Sequence, residues 1–100
     1  MKLLRCRQCL DIFNLTYDVK SCGCGATKGR YLENGWFAVY SGEHAVPIGF
    51  DNFAFYRAIE NQPEAGMGER FDAFIIPKDC PTFIKVGEEV VDHHINLIGP

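Results

Sequence analysis

Four of the five cysteines are grouped: Cys6-Arg7-Gln8-Cys9, twelve residues, then Cys22-Gly23-Cys24-Gly25. A tetrahedral zinc with Zn–S bonds of about 2.3 Å holds its sulfurs about 3.8 Å apart, so two ligands must come from one tight turn. Cys-x-x-Cys supplies such a turn. In the second pair the cysteines are only two residues apart, and a flat strand would hold them roughly 6.6 Å apart on one face, so the chain must bend there. Gly23 and Gly25 permit the bend because glycine reaches positive φ without a Cβ clash. Between the pairs, Asp11-Ile12-Phe13-Asn14-Leu15 alternates like a short strand and a polar return runs from Tyr17 to Ser21. The sequence shows no secretion signal, and the cytosol keeps thiols reduced, which argues against a disulfide framework.

This cysteine pattern resembles a zinc ribbon, a four-cysteine rubredoxin-like knuckle pair, over residues 3 to 30. Leu10 stands where many knuckles carry glycine, and the second pair is Cys-x-Cys where Cys-x-x-Cys is usual. The resemblance implies one structural Zn2+ on Cys6, Cys9, Cys22 and Cys24, with iron or unligated thiols as the alternatives. Four thiolates close the coordination shell, whereas a catalytic zinc keeps a position open for water.

The remaining reactive side chains are isolated. Cys80, in Lys78-Asp79-Cys80-Pro81, has an acid and a proline beside it where a nucleophile needs a histidine or a cation, so it reads as a packing residue. His44 and the His93-His94 pair lack the spacing of a metal-binding helix and read as solvated. No paired acids and no nucleophile with its base can be traced, and no catalytic residue is assigned.

The elements that position these residues follow from apolar patterning. Trp36 to Tyr40 is apolar on both faces and predicts a central strand. After a turn at Ser41-Gly42-Glu43-His44, Ala45 to Phe50 is extended, with Pro47 favouring an edge or bulged position. Asp51-Asn52 offers an N-cap for a helix over Phe53 to Asn61 that Pro63 ends. Ala54, Phe55, Tyr56, Ala58 and Ile59 form its apolar arc, and Phe53, Arg57 and Glu60 share the opposite side. Phe53 is out of place there: either it folds back on Ile48 or Phe50, or it is an exposed aromatic at a binding surface. Residues 62 to 70 form a loop containing Gly66-Met67-Gly68, without the preceding strand and following helix of a phosphate-binding loop. Phe71 to Ile76 and Thr82 to Val86 are further strands, and Gly87 to Pro100 is a short terminal helix, strand or partly ordered tail. The expected fold class is α+β: a ribbon module over residues 1–30 joined to a small, mostly antiparallel sheet with one helix over residues 31–100, together one compact unit.

One hundred residues leave no room for two full domains, and 47% hydrophobic residues exclude an intrinsically disordered chain. No apolar run approaches the length of a membrane span, and a cytoplasmic protein is expected. Residues 1–30 carry six basic and two acidic residues, a balance of +4, and residues 31–100 carry four basic and eleven acidic, a balance of −7. Beyond the ribbon, Ile48-Gly49-Phe50, Asn61-Gln62-Pro63, Gly66-Met67-Gly68 and Phe74-Ile75-Ile76-Pro77-Lys78 resemble a small uncharacterised zinc-ribbon family of bacteriophages and their hosts, over about residues 1 to 86. That resemblance implies a phage-borne accessory protein and assigns no activity. The expected function is non-catalytic binding of a host protein or a small anionic ligand, through Phe53, Arg57, Met67 and Arg70, to interfere with a process such as antiviral defence. The alternative is nucleic-acid binding through Arg5, Arg7, Lys20, Lys28 and Arg30, which the acidic remainder opposes.

Overall fold

The computed structural model describes residues 1–87 and 90. Its elements are β1 (Lys2–Cys6), β2 (Ile12–Asn14), β3 (Lys20–Ser21), β4 (Lys28–Tyr31), β5 (Ala38–Ser41), β6 (Ala45–Phe50), α1 (Asn52–Glu60), β7 (Ala73–Ile75) and β8 (Phe83–Lys85). They form an α+β fold of two four-stranded sheets, ordered β2-β1-β6-β7 and β3-β4-β5-β8. All pairings are antiparallel except β5 with β8, which run parallel. The cysteine-bearing segment contributes to both sheets, since β1 pairs with β6 from Lys2↔Gly49 to Cys6↔Ala45 and β4 pairs with β5 from Lys28↔Ser41 to Tyr31↔Ala38.

The core lies between the sheets. Leu4 of β1, Leu15, Ala38 and Tyr40 of β5, Ile76 and Phe83 of β8 are buried there, and Tyr40 meets Phe83 edge to face at 4.8 Å between ring centroids. All four residues of β5 are buried, as a strand apolar on both faces requires. It begins two residues later than the sequence predicts. Trp36 and Phe37 belong to a turn in which Asn34 Oδ1 accepts both of their backbone N–H groups at 3.0 Å.

Strand β6 corrects the expectation that Pro47 marks an edge, because it is paired on both sides. In an extended strand a residue's N–H and C=O point to the same side. The Pro47 carbonyl accepts the Ile76 N–H at 2.9 Å, one residue past the last β7 pair, Ile48↔Ile75. The donor that proline lacks is therefore directed at the place where the β7 ladder stops.

The helix starts and ends where its caps dictate. Asp51 Oδ1 accepts the N–H groups of Phe53 at 3.1 Å and Ala54 at 3.3 Å, and the backbone and side-chain amides of Asn61 both donate to the Arg57 carbonyl. It rests on Ala54 and Ala58, with Phe55 half-buried against Phe50 and Phe71 at 5.4 and 4.8 Å. Tyr56 and Ile59, predicted to complete the apolar arc, are more than half exposed, because small alanines bring the helix close along a narrow line. Phe53 is 86% exposed and does not fold back on Ile48 or Phe50; Phe55 occupies that position. In the predicted tail, Val90 is buried and donates its N–H to Ser41 Oγ at 3.1 Å. His93-His94 and the apolar run Ile95 to Ile98 lie outside the described residues.

Candidate metal centre

Two tight turns present the four cysteines. Cys6 ends β1, and the Leu10 N–H donates to the Cys6 carbonyl at 2.8 Å, folding the chain so that Cys9 faces back toward Cys6. Leu10 takes φ +67°, the left-handed value that glycine supplies in many knuckles. In the second turn the Gly25 N–H donates to the Cys22 carbonyl at 3.1 Å, the Cys22 N–H donates to the Thr27 carbonyl at 3.0 Å, and Gly25 sits at φ +80°. Asp11 ties the turns together: its carbonyl accepts the Cys6 N–H at 2.9 Å and its Oδ2 accepts the Gly23 N–H at 3.0 Å.

The sulfurs of Cys6, Cys9, Cys22 and Cys24 all lie within 4.8 Å of one another, with Cys6 to Cys24 at 3.8 Å and Cys22 to Cys24 at 3.6 Å. These are the separations of a tetrahedral thiolate set, and no disulfide joins the described cysteines. The cluster could hold a metal ion.

The surroundings favour negative sulfur. Thr27 is fully buried, and its hydroxyl completes no hydrogen bond of ordinary geometry among the described residues. It bears on Cys6, where, together with the backbone N–H groups of Cys9 and Gln8, it brings the thiol down to about 6. Burial opposes ionisation of Cys22, but the Thr27 backbone N–H at 3.3 Å and neighbouring sulfurs bring that thiol below its ordinary value. Cys24 has the Ala26 backbone N–H to favour its thiolate, and Gln8 Nε2 lies 3.5 Å from its sulfur, yet burial beside the other three cysteines pushes it up to about 11. Like charges this close cannot all form unaided. A divalent cation removes that conflict, and a buried hydroxyl with amide donors around the sulfurs is the outer shell a metal–thiolate group takes. Neither Thr27 nor Gln8 carried a signal in the sequence: Thr27 lies outside the cysteine spacing, and Gln8 occupies one of the two unspecified positions of Cys-x-x-Cys.

Cys80 lies apart from the cluster, half-buried against the core, with its sulfur 3.5 Å from Thr82 Oγ1. The Thr82 hydroxyl lowers its thiol below the ordinary value. His44 sits in the β5–β6 turn with Nε2 at 3.5 Å from Glu43 Oε1. Phe53 and Arg57 are exposed one turn apart on α1. Met67, fully exposed, lines a recess of about 540 Å³ with Phe55, Ile59 and Phe71; Phe53, Arg57 and Arg70 do not line it. No described helix is long and apolar enough to cross a membrane.

Comparison with protein-family models finds no match, and comparisons with the curated proteins and with the solved structures find none either. None of them supports the likeness to a phage and bacterial zinc-ribbon family.

Proposed function

We propose that this chain is a non-catalytic binding protein, held together by one structural zinc on Cys6, Cys9, Cys22 and Cys24, that captures a host protein or a small anionic ligand. Zinc fits four soft thiolates that lie within 4.8 Å of one another, with two of the pairs at 3.8 and 3.6 Å, and four thiolates leave no position for substrate. The observation that carries the binding role is Phe53, 86% exposed on a helix capped at both ends, with Arg57 one turn away. An aromatic ring beside a guanidinium stacks on planar groups and pairs with acids, and such residues concentrate binding energy at interfaces. The setting carried over from the sequence resemblance is a phage protein acting in the host cytoplasm, for example against an antiviral defence, and the comparisons lend that setting no support.

Nucleic acid is the weaker reading. Arg30 is only 7% exposed, so the basic segment presents one cation fewer than its sequence suggests, and the Arg7 guanidinium gives one of its donors to the Glu43 carbonyl at 2.8 Å.

Native mass spectrometry of the purified protein tests the proposal by recording metal, oligomer size and retained ligand together. One zinc per chain is expected. The double variant Phe53→Ala, Arg57→Ala should unfold within about 1 kcal/mol of the parent, as solvated side chains do, yet lose the host complex that the parent recovers from lysate. Retention of that complex by the double variant would place recognition on another face.

A further inference from the structure

A second recess of about 540 Å³ opens where the two sheets meet the start of the helix. Its lining brings together Lys2 of β1, Asn14 of β2, Tyr31 of β4, Trp36 from the β4–β5 turn, and Asn52 and Tyr56 of α1. This volume falls in the range of small-molecule sites, roughly 300–1,000 Å³, and meeting points of packed layers are where such sites occur.

The aromatic side chains there have little structural work. Trp36 is 69% exposed and Tyr56 54% exposed, and the two rings line one recess together, where an apolar ring of a ligand could cover both. The backbone that carries the indole is fixed by hydrogen bonds. Asn34 anchors the Trp36 and Phe37 N–H groups, the Leu32 N–H closes the turn on the Phe37 carbonyl at 2.8 Å, and the Trp36 carbonyl accepts Lys2 Nζ at 2.9 Å.

The charge is equally one-sided. Lys2 Nζ lies 5.7 Å from the Tyr31 ring centroid, and no carboxylate lines the recess among the described residues. Among the described residues, one of its three ammonium N–H groups is used, on the Trp36 carbonyl. Burial lowers the Lys2 pKa, as expected for a cation withdrawn from water. Asn14 and Asn52 turn their oxygens to Lys20 Nζ at 2.9 Å and the Met1 ammonium at 2.8 Å, which leaves their carboxamide N–H groups to donate to base-edge acceptors and hydroxyls. Met1 also lines the recess, its ammonium donating to Asn52 Oδ1 at 2.8 Å, so two neighbouring cations stand beside stacking rings and amides. That suits one planar molecule with a single, doubly charged phosphate, whereas a nucleic-acid strand would need a row of cations.

We propose that this recess binds a nucleoside monophosphate, with its base stacked on Trp36 and its phosphate paired with Lys2. The inference rests on the ligand-capture side of the proposed function and names the ligand class and its site. Trp36 is the only tryptophan in the chain, so its fluorescence reports on this recess alone.

The test is a titration of the zinc-loaded full chain with AMP, GMP, CMP and UMP, read by Trp36 fluorescence and by calorimetry, with adenosine and inorganic phosphate as controls. At least one nucleotide should quench saturably, and adenosine and phosphate should each bind more weakly by about tenfold or more, because each supplies half of the contacts. Lys2→Met should weaken binding by about tenfold, and Trp36→Ala should abolish the calorimetric signal while metal content and unfolding temperature stay unchanged. Absence of saturable binding by every nucleotide up to about 1 mM, or unchanged binding by Trp36→Ala, overturns the site. In that case a host-protein complex lost through Phe53→Ala, Arg57→Ala would still uphold the proposed function. Conversely, conversion of the bound nucleotide to a product would overturn the non-catalytic reading and leave the site standing.

Discussion

Leu10 is the described non-glycine residue that adopts a left-handed backbone, at φ +67°, and it does so in the first cysteine turn. An L-residue pays about 1–2 kcal/mol for that conformation, whereas glycine there forfeits about 0.5–1 kcal/mol of chain entropy. The Leu10 side chain is exposed, so its removal uncovers no core. Leu10→Gly should therefore unfold at an equal or higher temperature, by up to about 1 kcal/mol, and Leu10→Val at a lower one, since a β-branched residue tolerates this region worst. The cysteines divide more sharply. Cys22 shares the sulfur cluster and Cys80 does not. A structural zinc contributes on the order of 10 kcal/mol, comparable to the whole stability of a small domain. Cys22→Ser should lose the metal and its cooperative unfolding transition, and Cys80→Ser should retain both, as metal analysis and calorimetry would record. Zinc released by Cys80→Ser instead would mean that the ligands are wrongly assigned.

At the scale of elements, the contact between sheets depends on a missing side chain. A Cβ built on Gly29 of β4 would stand 2.6 Å from Leu4 Cδ1 of β1, 3.0 Å from the Val39 carbonyl and 3.1 Å from Leu15 Cδ2. Two of these neighbours are buried core side chains and the third is backbone, so none can yield freely. Gly29→Ala should cost about 1–3 kcal/mol, the usual penalty of overpacking, measurable by denaturant titration. Nothing in the local pattern of Lys28-Gly29-Arg30-Tyr31 announces this, because the obstacle comes from a residue 25 positions away in the chain. The same distinction separates what could be read along the chain from what could not. The helix was legible because Asp51, Asn61 and Pro63 act on neighbours within one turn, and the sulfur cluster because Cys-x-x-Cys and Cys-x-Cys are themselves local turns. The interior place of Pro47, the exposure of Phe53 and the recess joining Lys2 to Trp36 all depend on which strands pair, and no short-range signal encodes that pairing.

For the whole molecule, the cysteine turns run directly into paired strands of both sheets. Cys6 closes the cluster and also ends β1, which is paired along its full length with β6, while Thr27 beside the sulfurs immediately precedes β4. The chain's positive charge is dispersed by the same topology. Arg5 and Arg7 belong to the β1 side, whereas Lys20 and Lys28 lie on β3 and β4 of the other sheet, and Arg30 is buried. A nucleic-acid duplex or strand needs cations aligned along one track, and here two sheets each carry about half of them, against a remainder of −7. At most about three or four phosphates could be neutralised at once, for which the logarithm of affinity falls with the logarithm of salt at a slope of roughly −3. Any binding to a mixed-sequence DNA duplex should thus weaken by roughly fiftyfold or more between 50 and 200 mM salt and differ little between sequences. Fluorescence anisotropy across that salt range measures both quantities. A shallow slope with strong sequence preference would require base contacts from the aromatic residues, and would transfer the role of Trp36 and Tyr56 from a mononucleotide to a strand.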